Sequence, residues 1–177
     1  MGATRCDRMT NDHGALAGMK VIDCSQVMAG PFCTMLLADL GADVIKIEPP
    51  RGDSTRQMPG PGGGESPSYW ALNRNKRGIA INLKHQAGVE IMRKVTATAD
   101  VFVENFRPGV MASLGLDYPA LASQNRGLIY ASISGFGQNG PYAARGGFDL
   151  VAQGMSGIMS VTGEAGLPPM KCGLPIT

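Results

Sequence analysis

A chain of 177 residues with 44% hydrophobic and 17% charged residues is long enough to bury a real core, as one domain or as part of a larger one. Its formal net charge of +2 is too small to single out nucleic acid as a partner, and no apolar run approaches the length of a membrane span. The four cysteines form neither a CxxC pair nor a zinc spacing, so no metal centre is indicated and a reducing, cytoplasmic compartment is expected.

Residues 1–15 are polar, lack the apolar region of a signal peptide, and read as a disordered leader. Residues 19–23 (MKVID) are a short apolar run with β-branched members, the signature of a strand. Pro31 suits a first helical turn. Met35, Leu36, Leu37 and Leu40 follow at helical spacing, and Gly41 stands where a left-handed C-cap belongs. A second strand, DVIKIE, closes a βαβ unit whose crossover is expected to be right-handed. The loop at residues 27–31 then lies at the carboxyl end of the first strand, where open α/β sheets bind ligands.

From Pro49 to about Asn73 the chain is full of breakers and reads as irregular, neither helix nor central strand, with Tyr69 and Trp70 returning to the core. A cationic turn at residues 73–77 leads into a predicted strand at 78–83. A helix over 86–97 comes next, with Val89, Met92 and Val95 on one face, and then a strand at 100–106. Asp117 reads as an N-cap, with Pro119 in the first turn of a short helix ending near Asn125. A strand over 128–134, a glycine-rich loop, and a helix over 148–160 weakened by Gly154 and Gly157 precede an extended tail. Strands alternating with helices predict an α/β fold with a Rossmann-like, mostly parallel sheet and helices on both faces. The loops at 27–31, 104–109 and 134–140 should gather at one edge of that sheet.

Gly135, Gly137 and Gly140 form a G-x-G-x-x-G after a strand, but no helix starts inside it and no acid follows about twenty residues on. The loop is better suited to admitting a ligand to the backbone than to holding a dinucleotide. Arg74, Lys76, Arg77 and Lys84 are either a phosphate-contacting cluster or a solvated basic turn. Arg107, just past a strand end, is well placed for an anion. Asp149 reads as an N-cap more readily than as a catalytic acid. Neither His13 nor His85 suggests a metal site or a general base.

Together these segments carry a family likeness. The order LxGxxVIDxSxVxAGPxCxxxLADLGADVIKIEPPxGDxxR, NRNKRxIxINLK, ADVFVENFRPGVxxxLGLDYxxL and LIYASISGFGQNGPY resembles the family III CoA-transferases from about Leu16 to Thr177. That family includes formyl-CoA transferases, carnitine and bile-acid CoA-transferases, and α-methylacyl-CoA racemases. The resemblance implies a Rossmann-like large domain that takes CoA as substrate, with no tightly bound cofactor, in an interlocked homodimer. Residues 16–177 then correspond to the N-terminal part of that large domain, truncated, with the smaller domain absent.

The same likeness implies CoA contacts at Gln26, Met28 and Ala29, at Ile81, Asn82, Leu83 and Lys84, and at Asn105, Phe106 and Arg107. Gly135, Phe136 and Gly137 are expected near the thioester. The sequence departs from the pattern at Pro49 and Ser113, where members carry arginine. The implied reaction is a transfer of CoA from an acyl-CoA to a carboxylic acid acceptor through a mixed anhydride on an aspartate. That aspartate is expected immediately after Thr177, which leaves Asp149 as an auxiliary group and these residues alone inactive. Racemase members place a histidine where Phe148 stands, and phenylalanine exchanges no proton. A racemase-like enzyme, a nucleotide-binding oxidoreductase domain and a non-catalytic CoA-binding relic are the alternatives.

Overall fold

The computed structural model describes residues 14–60 and 62–175. The leader expected over 1–15 therefore falls outside the described residues up to position 13. Five strands form one parallel sheet: β1 (Lys20–Asp23), β2 (Asp43–Glu48), β3 (Lys76–Ala80), β4 (Val101–Glu104) and β5 (Ile129–Ser132), in the order β3-β2-β1-β4-β5. Register is continuous across the sheet, with Ile22 beside Ile45 on one flank and beside Phe102 on the other. The chain first winds outward from β1 to β3, then returns to lay β4 along the free side of β1. The direction of winding thus reverses between β1 and β4, the place where a crevice opens at the strand ends.

Helix α1 (Ala29–Asp39) buries Gly30, Pro31, Thr34, Met35 and Ala38, one face at helical spacing. Gly41, at φ 102°, ends it in a Schellman closure: Gly41 N donates to Ala38 O and Ala42 N to Leu37 O, both at 3.0 Å. Of the residues read as recurring at helical spacing, Met35 is buried but Leu36 and Leu40 are exposed. They point away because Thr34 and Ala38 hold the sheet side of the helix. Helix α2 (Pro67–Asn73) corrects the irregular reading of 49–73. Ser66 Oγ caps it by accepting from Tyr69 N at 3.2 Å, and Pro67 occupies the first turn, where no N–H is needed. Residues 54–57 also form a 3-10 turn, capped by Asp53. Tyr69 reaches the core, but Trp70 is 55% exposed.

Helix α3 (Gln86–Thr96) buries Val89 and Met92 as predicted. Gly88 is required there, since a Cβ would collide with the carbonyl of Asn82. Strand β3 begins two residues earlier than the expected 78–83 and releases Ile81 to Leu83 past its end. A one-turn helix α4 (Val110–Ser113), not anticipated from sequence, precedes α5 (Tyr118–Ala122), which Asp117 caps as expected. The expected helix over 148–160 is instead α6 (Asp149–Met155) followed by a 3-10 turn at Ile158–Val161, because Gly157 turns left-handed at φ 82°. Phe148 holds the cap position of α6 and Asp149 its first residue, so Asp149 is not the N-cap.

Helices cover both faces of the sheet. On one, Ile22, Ile47 and Phe102 pack with Val89, Met92, Met111, Leu116 and Leu121. On the other, Val21, Val44, Val101 and Val103 pack with Ala38 and Ala42. Among the described residues, no helix is long and apolar enough to cross a membrane.

Candidate functional site

The crevice at the winding reversal is a cleft of about 600 Å³, within the range of small-molecule sites. Its walls come from three loops: Val27, Met28 and Ala29 after β1; Asn105, Phe106, Arg107 and Pro108 after β4; Ile133, Ser134 and Gly135 after β5. The start of α6 closes it with Phe148 and Asp149, beside Arg145, Gly146 and Gly147. The three loops expected at one edge therefore do meet. Two arginines against one aspartate leave the lining cationic, which favours an anionic ligand.

The first wall is held from β4. Gln26 N donates to Asn105 Oδ1 at 2.8 Å, and Asn105 Nδ2 donates to Gln26 O at 2.7 Å. Val27 follows in the left-handed region at φ 67°, a conformation disfavoured for a β-branched residue. Phe106 N donates to Glu104 Oε2 at 2.8 Å, which fixes the start of the second wall. In the third wall Gly135 lies against Gly147, and a Cβ on either would run into the backbone of the other. Phe136 meets Tyr142 edge to face at 5.7 Å, and Arg145 stacks over that same ring at 4.2 Å. Asp149 Oδ2 accepts from Gln153 Nε2 at 2.7 Å, and Gln153 Oε1 accepts from Cys172 N at 2.8 Å, tying the tail to α6.

Of the residues singled out in the sequence, Met28, Ala29, Asn105, Phe106, Arg107, Gly135 and Asp149 line the cleft. Gln26 stands behind its first wall. Phe136 and Gly137 continue the third loop, with Gly137 at φ 79°. Ile81 to Lys84 do not line it, because they leave the sheet from β3, two strands from β1. Ile81 and Leu83 instead join the apolar cluster against which Phe106 packs. The basic cluster is also not brought together. Arg74 pairs with Asp39 at 2.5 Å and Arg77 with Asp43 at 2.6 Å, while the buried Lys76 Nζ bonds Asp23 Oδ2 at 2.9 Å and Pro31 O at 2.8 Å.

Sequence reasoning missed the polar network beneath the first wall. Lys46, fully buried, donates to Ser25 O at 2.9 Å and lies 3.1 Å from Asp53 Oδ2 and 4.0 Å from Asp23 Oδ2. Asp23 accepts from Ser25 N at 3.0 Å, from Ser25 Oγ, and from Thr34 Oγ1 at 2.7 Å. Burial alone would raise the Asp23 pKa. The charges of Lys46 and Lys76 and the hydroxyls of Ser25 and Thr34 outweigh burial and hold it below the usual carboxylate range. Beside it, burial also opposes ionisation of Glu48, yet Arg56, Tyr69 and the Asp53 N–H bring its carboxyl down to about 2. Burial pushes the Cys24 thiol up to about 12, helped by Asp23 and Glu104, so it is no nucleophile at neutral pH. The available signal was Lys46 itself, a charge placed by strand alternation on the side that α1 must cover.

Comparison with known proteins places these observations. The profile of CoA-transferase family III matches residues 16–177. A succinate–glutarate CoA-transferase of Agrobacterium fabrum is 47% identical over 95% of this chain and 44% of its own length. The human succinyl-CoA:glutarate CoA-transferase is 45% identical over 94% of this chain and 39% of its own. A crystal structure of a CAIB/BAIF family protein from Brucella suis superposes with a TM-score of 0.88 at 44% identity, covering 92% of this chain and 44% of that one. The chain thus spans well under half the length of the relatives it matches.

Proposed function

The chain belongs to CoA-transferase family III, and from that premise we propose that it forms the CoA-cradling part of an enzyme moving CoA between an acyl-CoA and a carboxylic acid. The observation that carries this reading is the cationic, glycine-walled cleft at the winding reversal, built from the family's own motif residues. Met28, Ala29, Phe106, Arg107 and Gly135 are the ligand-facing wall, with Arg107 answering the negative charge of the phosphates. Phe136 and Gly137 keep the third loop open toward the thioester, while Ile81 and Leu83 stand behind Phe106 in the apolar cluster that backs the second wall.

In the transfer, an aspartate carboxylate attacks the thioester carbonyl, the C–S bond breaks, and CoA departs as thiolate, leaving a mixed anhydride. The thiolate attacks the aspartyl carbonyl and releases the donor acid. The acceptor carboxylate then displaces the thiolate to form a second anhydride, from which the thiolate takes the acceptor acyl group and frees the aspartate. These residues hold the CoA; the attacking aspartate is the one expected beyond Thr177. Asp149 supports from the side, its carboxylate engaged by Gln153. Phe148 in the cleft wall offers no proton, which favours transfer over racemisation. A homodimeric assembly fits the apolar residues of the C-terminal segment, where Phe148 is 73% and Val161 86% exposed.

Calorimetric titration of the chain with CoA and with NADH tests the reading. CoA should bind, and Arg107→Ala should weaken it by roughly tenfold at about 0.1 M salt, with a smaller loss as salt rises. Binding of NADH without CoA would overturn it. For a protein that carries the attacking aspartate as well, succinyl-CoA with glutarate is the first donor and acceptor pair to assay.

A further inference from the structure

The Asn105 amide is turned inward, onto protein backbone. Its Oδ1 takes the Gln26 N–H and its Nδ2 gives to the Gln26 carbonyl, at 2.8 and 2.7 Å. The Gln26 N–H can only donate and its carbonyl can only accept, so the orientation of the amide is fixed by its partner. Aspartate could accept from Gln26 but not donate to it, and glutamine is a methylene too long. The residue held next to this clamp is Val27, at φ 67°, a conformation that persists in a β-branched residue only when its surroundings enforce it. Gly30, the second residue of α1, sits against the same place: a Cβ there would strike Ser25 and come within 3.6 Å of Asn105 Cγ. From the other side Asp23 accepts from the Ser25 N–H and Lys46 donates to the Ser25 carbonyl, so the segment preceding Val27 is gripped from both flanks.

We propose that Asn105 is a positioning residue, which fastens the loop after β1 to the loop after β4 and holds Val27, Met28 and Ala29 in the shape that receives the ligand. Asn105 itself lines the cleft, but the effect proposed for it passes through the backbone of the first wall. This rests on the reading of the cleft as a CoA site. The clamp lies at the winding reversal, where β1 and β4 are adjacent while the helices that follow them pack on opposite faces of the sheet.

The test has a ligand-free arm and a CoA arm, each run on the whole chain. In hydrogen exchange without ligand, Asn105→Ala should speed exchange of the Gln26 amide by roughly tenfold or more, leaving the β1 and β4 amides unchanged. Asn105→Asp, which keeps the acceptor, should leave the Gln26 amide protected. In calorimetry, Asn105→Ala should weaken CoA by roughly tenfold. Adding Val27→Gly to that variant, which takes the left-handed conformation without strain, should recover roughly threefold or more. Unchanged exchange in Asn105→Ala, or lost affinity with no recovery in the double variant, overturns the proposal. If Asn105→Ala does not fold, Asn105→Asp decides. Its carboxylate faces the Gln26 carbonyl and should weaken CoA while the amide stays protected, and wild-type affinity would overturn the clamp. A wild-type chain that ignores CoA overturns the reading of the cleft, and the exchange arm then judges the clamp by itself.

Discussion

The two faces of this one sheet are built on different principles. Toward α3, α4 and α5 the strands present Ile22, Ile47 and Phe102 to Met92 and Leu116, and cohesion there is apolar burial. Toward α1 the same strands begin apolar, with Val21, Val44 and Val101, but end in Asp23 and Lys46, joined by Lys76 and Asp53. The change falls at the carboxyl ends of β1 and β2, directly beneath the loop that forms the first wall of the cleft. An apolar contact is indifferent to a small slide, whereas hydrogen bonds to Ser25 N and O fix a particular backbone atom in a particular place. One face supplies cohesion, and the other supplies the position of the cleft.

The sharpest way to break the comparison is Lys46→Ala. It leaves the Asp53 carboxylate buried without its partner, and the expected loss is about 4 kcal/mol, read from urea unfolding. A loss near zero would mean that the polar face is as dispensable as an exposed surface pair.

Met92→Ala tests the apolar face. Met92 is fully buried, and its truncation should cost about 3 kcal/mol. It should change the affinity for CoA far less than Arg107→Ala does, since this residue stands on the far side of the sheet from the loop after β1 and belongs only to the cluster behind Phe106. A parallel fall in affinity would show that the two faces are not separable.

The smallest effect is a pH dependence beside the polar face. Glu48 is held at about 2 in the folded chain, against an ordinary carboxylate value near ~4.3 when unfolded. The folded value is the lower one, so the stabilisation is fully present above the ordinary value and is lost as pH falls from about 5 toward 2. Arg56→Ala removes the principal bonding partner of Glu48. The urea midpoints of wild type and Arg56→Ala should differ at pH 7 and converge across that acid window. Asp23 titrates in both proteins, so the difference isolates Glu48; curves that stay parallel would remove Glu48 from this role.

The βαβ frame was legible because its signals are local. Alternating apolar residues in DVIKIE, Pro31 near the helix start and Gly41 at its end each report on a few neighbouring positions, and together they place the loop at residues 27–31. Helix α2 was hidden by its surroundings: Ser66 and Pro67 are a capping signal, but they follow a glycine- and proline-rich run that reads as breakers throughout. The buried Lys46 was legible by its side of the strand but not by its partners. A charge on a strand looks like a solvent-facing residue unless its counter-ions are known, and those lie at positions 23 and 53, brought close by strand pairing and by the turn after β2. The cleft was half legible. The alternation of strands and helices placed three loops at one edge, but no local pattern shows that β4 returns beside β1, and that order sends Ile81 to Lys84 to a different part of the sheet edge.

The contact between Gly135 and Gly147 carries a consequence for how this region can change over time. Most tight contacts can be traded: a larger group on one side is tolerated once the other side shrinks. Here each glycine meets the main chain of the other, and neither has anything left to remove. No second substitution at the partner position can rescue the first, so the pair is a dead end in sequence space. Variation in the ligand chemistry of this cleft must come from the residues on either side of that crossing.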